Sequence, residues 1–423
     1  MGQANPIPFV NADHVTGRAW LYVFLLCIVG CLNYLDRIMI TTMRTSIVDA
    51  IPMSDAQFGL LTAVFLWVYG VLSPFGGFLA DRFSRRKVII GSLLVWSIVT
   101  WLTSKATTFE ELLATRALMG ISEACYIPAA LAFITDYHRG KTRSLAVGLH
   151  MGGVIAGQAL GFVGGWLAEG HSWAFPFSLF GLFGIGYAIV LAFILRDAPP
   201  VRHVETHGGD EVAASKRIGF GEAVAALFGR RGFLIALVFW SLFGVSGWLI
   251  IGWLPTYYKE HFGLSQSVAG LYATGYLYTA SLIGVLLSGL WADWWSKTNP
   301  RARILVPALG LLVAAPGIWV ASTTGVVAIA LAGFTLYAFT RAFTDSNMMP
   351  ILCMVADTRY RATGYGILNF FSCLIGGIGL YMGGYLRDAS VDLSNLFILA
   401  AITTAAGGLL LFLIKDYKYA GRD

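Results

Sequence analysis

Six ionisable residues interrupt long apolar runs: Asp36 and Arg37 in one run, Arg116 and Glu123 in another, Arg341 and Asp345 in a third. At the centre of a lipid-facing helix each would cost ~3 kcal/mol on insertion scales, so six are tolerated only where they face water and one another. Arg116 and Glu123 are seven apart, two turns along one helix face. Arg341 and Asp345 are four apart and can pair directly. Glu123 stands five before Pro128, and Asp345 five before Pro350, which suggests corresponding positions in a repeat. Three acids and three arginines balance when all are ionised. A proton on one carboxylate leaves a net positive cavity that welcomes an anion, and a planar guanidinium fork grips a carboxylate better than a lysine would. Proton and anion binding then reinforce one another. The chemistry on offer is coupled movement of a proton and an anion, with Asp36, Glu123 and Asp345 as proton sites and Arg37, Arg116 and Arg341 as anion contacts. No cofactor is expected beyond the proton as coupling ion.

The elements that must hold these residues are membrane-spanning helices. Of 423 residues, 57% are hydrophobic and 12% charged, about half the ~25% usual in soluble domains. A bilayer solves the solubility problem this composition creates. A span needs ~20 apolar residues, and twelve are predicted, near 18–43, 55–80, 87–105, 109–135, 142–168, 172–196, 230–258, 265–292, 302–322, 325–357, 361–387 and 393–415. The fold class is therefore an all-α polytopic membrane protein. Residues 1–17 form an N-terminal tail, 18–196 a first six-helix bundle, 197–229 a hydrophilic linker ending in a short amphipathic helix, 230–415 a second bundle, and 416–423 a C-terminal tail. Residues 1–17 are polar and the first apolar stretch is long enough to span and stay, so no cleavable signal peptide is expected.

Charge sets the orientation. With both termini cytoplasmic, only Arg44, Lys105, Lys259 and Arg387 of the 29 Lys and Arg fall outside, and Arg37, Arg116 and Arg341 lie within spans. That bias is the positive-inside rule and predicts an inner cell membrane protein. The +6 net charge is explained by topology, so no nucleic-acid partner is expected. The five cysteines all fall in apolar segments without metal or disulfide spacing and are assigned to packing. The halves repeat one another. Gly77 stands four before Asp81 in GGFLADRFSRRK, and Gly289 four before Asp293 in SGLWADWWSK. Gly59-Leu60 answers Gly270-Leu271 at an offset of 211, against 212 for the aspartates, and Gly164-Gly165 answers Gly383-Gly384. Two parallel six-helix repeats with a site between them is a known transporter plan.

These motifs resemble the major facilitator superfamily along essentially the whole chain. Its signature loop after span two appears here as Gly77, Asp81, Arg82, Arg85 and Arg86, weakly echoed at Asp293. The resemblance implies a conformational latch in which Asp81 and Arg85 brace one alternating-access state. Span four carries Arg116-Ala-Leu-Met-Gly120, another family pattern, while Gln158 stands where an antiporter pattern has proline, which favours symport or uniport. The first half is similar to the anion:cation symporter branch, in Asn33-Tyr34-Leu-Asp36-Arg37, Tyr69, and the Arg116/Glu123 spacing. By that resemblance Asp36 and Glu123 are protonation sites, and Arg37, Tyr34, Tyr69, Gln158 and Asn369 contact substrate. The implied activity is proton-coupled symport of a small organic anion, such as a hexonate or hexuronate sugar acid, by a monomer in the lipid bilayer. The segment SNMMPILCMVADTRYRATGYGILNFF departs from that branch. Spinster-type lipid transporters share the first-span and fourth-span patterns, so a lipid or lysolipid carrier is the alternative.

Other classes lack support. No G-x-x-x-x-G-K-[ST] loop for ATP occurs. Neither a metal-spaced His cluster nor a Ser/His/Asp pattern lies in the spans, so an enzyme is not expected and no metal is assigned.

Overall fold

The computed structural model describes residues 17–138, 142–198, 220–357 and 360–414, apart from the side chains at 74, 77, 78, 80, 81, 220 and 362. Among them are twelve helices long and apolar enough to cross a membrane. They are α1 (Gly17–Thr42), α2 (Asp55–Arg82), α3 (Arg85–Thr103), α4 (Phe109–Tyr137), α5 (Arg143–Gly170) and α6 (Ala174–Ile194), then α7 (Arg231–Phe262), α8 (Gln266–Ser296), α9 (Ala302–Thr323), α10 (Val327–Val355), α11 (Arg361–Asp388) and α12 (Leu393–Leu411). No strand occurs among the described residues. Helices are the solution lipid demands, because each backbone donor finds its acceptor within its own segment. The predicted short helix of the linker forms at Phe220–Phe228 and packs on α7 and α11. The tails lie outside the described residues.

Helix starts are written in the sequence. Ser54, Ser84, Thr108 and Ser265 each accept the backbone N–H three residues on, and at Ser54 the Gln57 side chain returns the bond. These caps satisfy amides that no carbonyl reaches. Asp392 opens α12 likewise, and its bond from the Ser394 N–H holds its carboxyl below the usual range.

Within each half the helices pack closely. Where α5 crosses α1, a Cβ on Gly157 would stand 2.1 Å from the Cys31 carbonyl oxygen, so only glycine permits that approach. Large apolar side chains such as Phe24, Phe193, Leu290 and Trp294 are exposed on the outside, as a lipid-facing surface requires. The halves meet along α2 against α11, α5 against α8, and α1 against α7.

Three helices, α4, α5 and α8, depart from regularity, and in α5 the helix stops at Ala159 and restarts at Phe162. In α4 the helix runs Phe109–Glu123 and restarts at Tyr126. Pro128 has no N–H for the Ala124 carbonyl, which frees the backbone just past Glu123. In α10 the helix runs through Pro350 unbroken, so the two carboxylate–proline spacings do not give the same local structure. In α8, Leu271–Tyr276 is a π-helical turn. It falls between Gly270 and Asp293, where the repeat offset changes from 211 to 212. A π turn is how a helix absorbs one extra residue.

Candidate functional site

The four N-half ionisable residues come together where α1, α3 and α4 converge. Arg37 Nη2 donates to Glu123 Oε2 at 2.8 Å, with the two side chains 3% and 0% exposed. The Arg37 guanidinium is boxed by three rings, with centroids at 4.3 Å for Tyr34, 4.8 Å for Phe65 and 4.5 Å for Tyr69. Such stacking recovers part of the desolvation cost of the cation. Beside it, Thr100 Oγ1 of α3 donates to Asp36 Oδ2 at 3.1 Å. Asp36, Glu123 and Arg116 lie within electrostatic range of one another. Arg116 is wholly buried under Phe65, its Nη1 3.0 Å from the Met119 sulfur, while Nε and Nη2 find no hydrogen-bond acceptor. One oxygen each of Asp36 and Glu123 is likewise without a partner. A buried cluster so incompletely satisfied costs stability, and such expense concentrates at functional positions.

The C-half pair is different in kind. Arg341 and Asp345 pair at 3.4 Å, 20% and 39% exposed, with the guanidinium 4.1 Å from the Phe243 ring centroid. Tyr278, Tyr337 and Tyr365 surround the pair, and Tyr278 and Tyr365 are also in range of Tyr34 on α1. Tyr278 and Tyr365 therefore link the surroundings of this pair to Tyr34 of the Arg37 box. Gln158 and Asn369 are half-buried. Gln158 follows the glycine jammed against α1, and Asn369 lies near Cys373, against which Gly70, the neighbour of Tyr69, packs. Sequence reasoning put all six charges in one wet cavity, and here the structure differs: Arg341 and Asp345 are open, whereas Asp36, Arg37, Arg116 and Glu123 sit behind rings. Arg116 in particular is wholly buried.

The latch residues are dispersed. Gly77 and Asp81 lie in the last turns of α2 with side chains outside those described. Arg85 pairs with Asp136 at the end of α4 and donates to the Ala132 carbonyl at 3.4 Å, a bond inside its own half. Asp293 pairs with Arg303 at 3.0 Å, also within one half. Asp136 was not singled out from sequence, though an acid closing a span next to a basic loop is the signal for it.

The opposite end carries what sequence reasoning missed. The end that carries the 197–229 connection is the linker side. At the far side, Arg387 of α11 bonds Asp55 of α2 at 2.8 Å and Glu260 of α7 at 2.9 Å, and Arg44 bonds the same two acids. This lattice joins the halves, as do Trp67 to Leu374 at 3.0 Å and Gln266 to Gly165 at 3.0 Å. The described hydrogen bonds between the halves lie from mid-height to the far side. Arg44 and Arg387 looked from sequence like stray external cations; Asp55 is 11 positions from Arg44, but Glu260 is 216 from Arg44 and Asp55 is 332 from Arg387.

A family profile described as Major Facilitator Superfamily matches residues 26–380. Protein spinster homolog 1 of Mus musculus is 29% identical over 395 residues, covering 88% of this chain and 74% of that protein. The probable sulfoacetate transporter SauU of Cupriavidus necator is 25% identical over 408 residues, covering 91% of each. Among solved structures, a bacterial homolog of the human lysosomal transporter Spinster, in an inward-facing and occupied conformation, aligns with TM-score 0.77 at 22% identity, covering 97% of this chain and 99% of that one. Its unoccupied form aligns with TM-score 0.75. These two likenesses bear on the fold, which is the two-bundle arrangement described above.

Proposed function

This chain belongs to the Major Facilitator Superfamily, a family of carriers rather than enzymes, and on that footing we propose that it is a proton-coupled secondary carrier of the spinster type. Its cargo in this reading is an amphiphile with an anionic head, a lysophospholipid being the simplest case. The observation that carries it is the buried Arg37–Glu123 pair beside Asp36, with the more exposed Arg341–Asp345 pair in the other half and Tyr365 in range of both Tyr34 and Asp345. Two acids and two arginines leave the N-half cluster neutral. A proton on Glu123 removes the charge that holds Arg37, and the freed fork can take an anionic head group, so proton and cargo favour each other's binding. Asp36 is a second proton site and Asp345 a third, with Arg341 the second clamp. Tyr34, Tyr69, Phe243 and Tyr365 offer faces to an acyl chain as well as to a head group. The linker side is assigned to the cytoplasm on the positive-inside bias.

The spinster relatives support this reading over the sugar acid expected from the first half of the sequence. A small-organic-acid symporter is kept as the second reading, because the sulfoacetate transporter relative matches over 91% of both chains.

The test is uptake into proteoliposomes loaded with a pH-sensitive dye, offered an anionic lysophospholipid or a hexonate in turn. The expected result is internal acidification with the lysolipid alone, lost in Arg37→Ala and in Glu123→Gln. Acidification with the hexonate alone moves the assignment to the second reading. Acidification undiminished in Glu123→Gln removes that residue from coupling.

A further inference from the structure

Helices α5 and α11 end on matching sequences, Gly164-Gly165-Trp166-Leu167-Ala168-Glu169 and Gly383-Gly384-Tyr385-Leu386-Arg387-Asp388. In each, a carboxylate falls four residues after the second glycine. Glu169, in the first half, accepts from the backbone N–H of Ser267 at 2.9 Å and from the Ser267 hydroxyl, at the start of α8 in the second half. Asp388, in the second half, accepts from the backbone N–H groups of Asp55 and Ala56, both at 2.9 Å, at the start of α2 in the first half. The receiving helices correspond too, since their own N-cap serines, Ser54 and Ser265, are 211 apart. Each half thus supplies an acceptor for the first-turn amides of the other half's helix.

The second glycine lets each helix end pack closely, Gly384 directly against the other half and Gly165 against α1 of its own half. A Cβ on Gly384 would lie 2.1 Å from the Asp55 carbonyl oxygen, and one on Gly165 2.8 Å from that of Thr42. A carboxylate at a helix start satisfies amides that have no carbonyl and meets the positive end of the helix dipole. Helices within one half would keep their caps through any rigid-body movement. These two caps exist only while the far side is shut, because donor and acceptor belong to bodies that separate when it opens.

We propose that Glu169 and Asp388 are a matched pair of state-dependent helix caps that set the population of the far-side-closed conformation. The Arg44, Asp55, Glu260 and Arg387 lattice beside Asp388 lies on the same seam and adds to the closure. Opening the far side strips both caps at once, so the two helix starts act as a single latch related by the repeat symmetry. The proposal concerns the alternating motion itself and holds whichever cargo is carried.

Hydrogen–deuterium exchange on the purified full-length protein tests it, comparing the parent with Glu169→Gln, Asp388→Asn and the double variant. Loss of a cap weakens the closed state by roughly two- to thirtyfold, so exchange in segments 52–60 and 263–272 rises by a factor in that range. Local fraying alone would do as much, so the deciding readout is distant. Linker-side segments 83–92 and 296–304 become more protected, because a molecule that opens at one end closes at the other. Faster far-side exchange with unchanged linker-side protection overturns the proposal. Should the double variant fail to fold, Asp388→Asn alone, which keeps one amide acceptor, decides by the same comparison.

Discussion

At the scale of single residues, the Arg37–Glu123 pair illustrates why buried charges are unequal partners. Removing one member leaves the other ionised and dry, at a typical cost of about 3–5 kcal/mol, whereas replacing both with apolar residues of similar size can be neutral. Glu123→Leu is therefore expected to lower the thermal midpoint of the purified protein well below that of Arg37→Met/Glu123→Leu. A double variant no more stable than the single one would mean that the pair is hydrated after all. Thr100→Val tests the other acid. Deleting the one hydroxyl bonded to Asp36 should alter the pH dependence of uptake while leaving the fold intact, since threonine and valine are near in shape. An unchanged pH profile would make that bond structural. From sequence, the identities of these residues were legible because charge inside an apolar run is conspicuous. Their partition into a dry cluster and an open pair was not, because it depends on Phe65 and Tyr69 of α2 folding over α1.

At the scale of elements, hydropathy placed all twelve spans to within a few residues, since length and apolarity are what a bilayer reads. The interruptions were less visible. Pro128 and Pro350 look alike in sequence, yet one accompanies a break and the other is carried through, because neighbouring helices decide whether a freed carbonyl is tolerated. Close approaches supply a sharp test. Gly384→Leu should keep α2 and α11 from meeting at the far side, while Gly289→Leu, with nothing within 4 Å of a Cβ, should be tolerated. Cross-linking yield between far-side cysteine pairs placed in loops 51–54 and 389–392 would fall for the first and stay for the second. A yield unaffected by Gly384→Leu would show that the seam adapts.

At the scale of the whole molecule, the cation-rich linker side and the lattice that joins the halves occupy opposite ends. On the linker side Arg85 and Arg303 pair with acids of their own halves, whereas Arg44 and Arg387 at the far side are 15% and 14% exposed and matched by acids from both halves. Ion pairs of this partly exposed kind weaken as salt screens them. Raising ionic strength should therefore shift the conformational equilibrium toward far-side opening, read as faster hydrogen exchange there, and Arg387→Gln should abolish that salt sensitivity. Salt dependence persisting in Arg387→Gln would place its origin elsewhere. None of this lattice could be assembled from sequence, where each member is an ordinary loop-edge charge with partners up to 332 positions away.

The six-residue π turn of α8 confines a difference in length to one place. In a regular helix one added residue would advance everything after it by about 1.5 Å and rotate it by about 100°. A π turn takes the residue up as a local bulge and leaves the turns beyond it in register. If the halves descend from one duplicated ancestor, a single inserted codon in α8 was accommodated without re-facing the rest of the helix. The copies can then differ in length and still follow one blueprint, the surplus residue worn as a knuckle rather than passed down the rod.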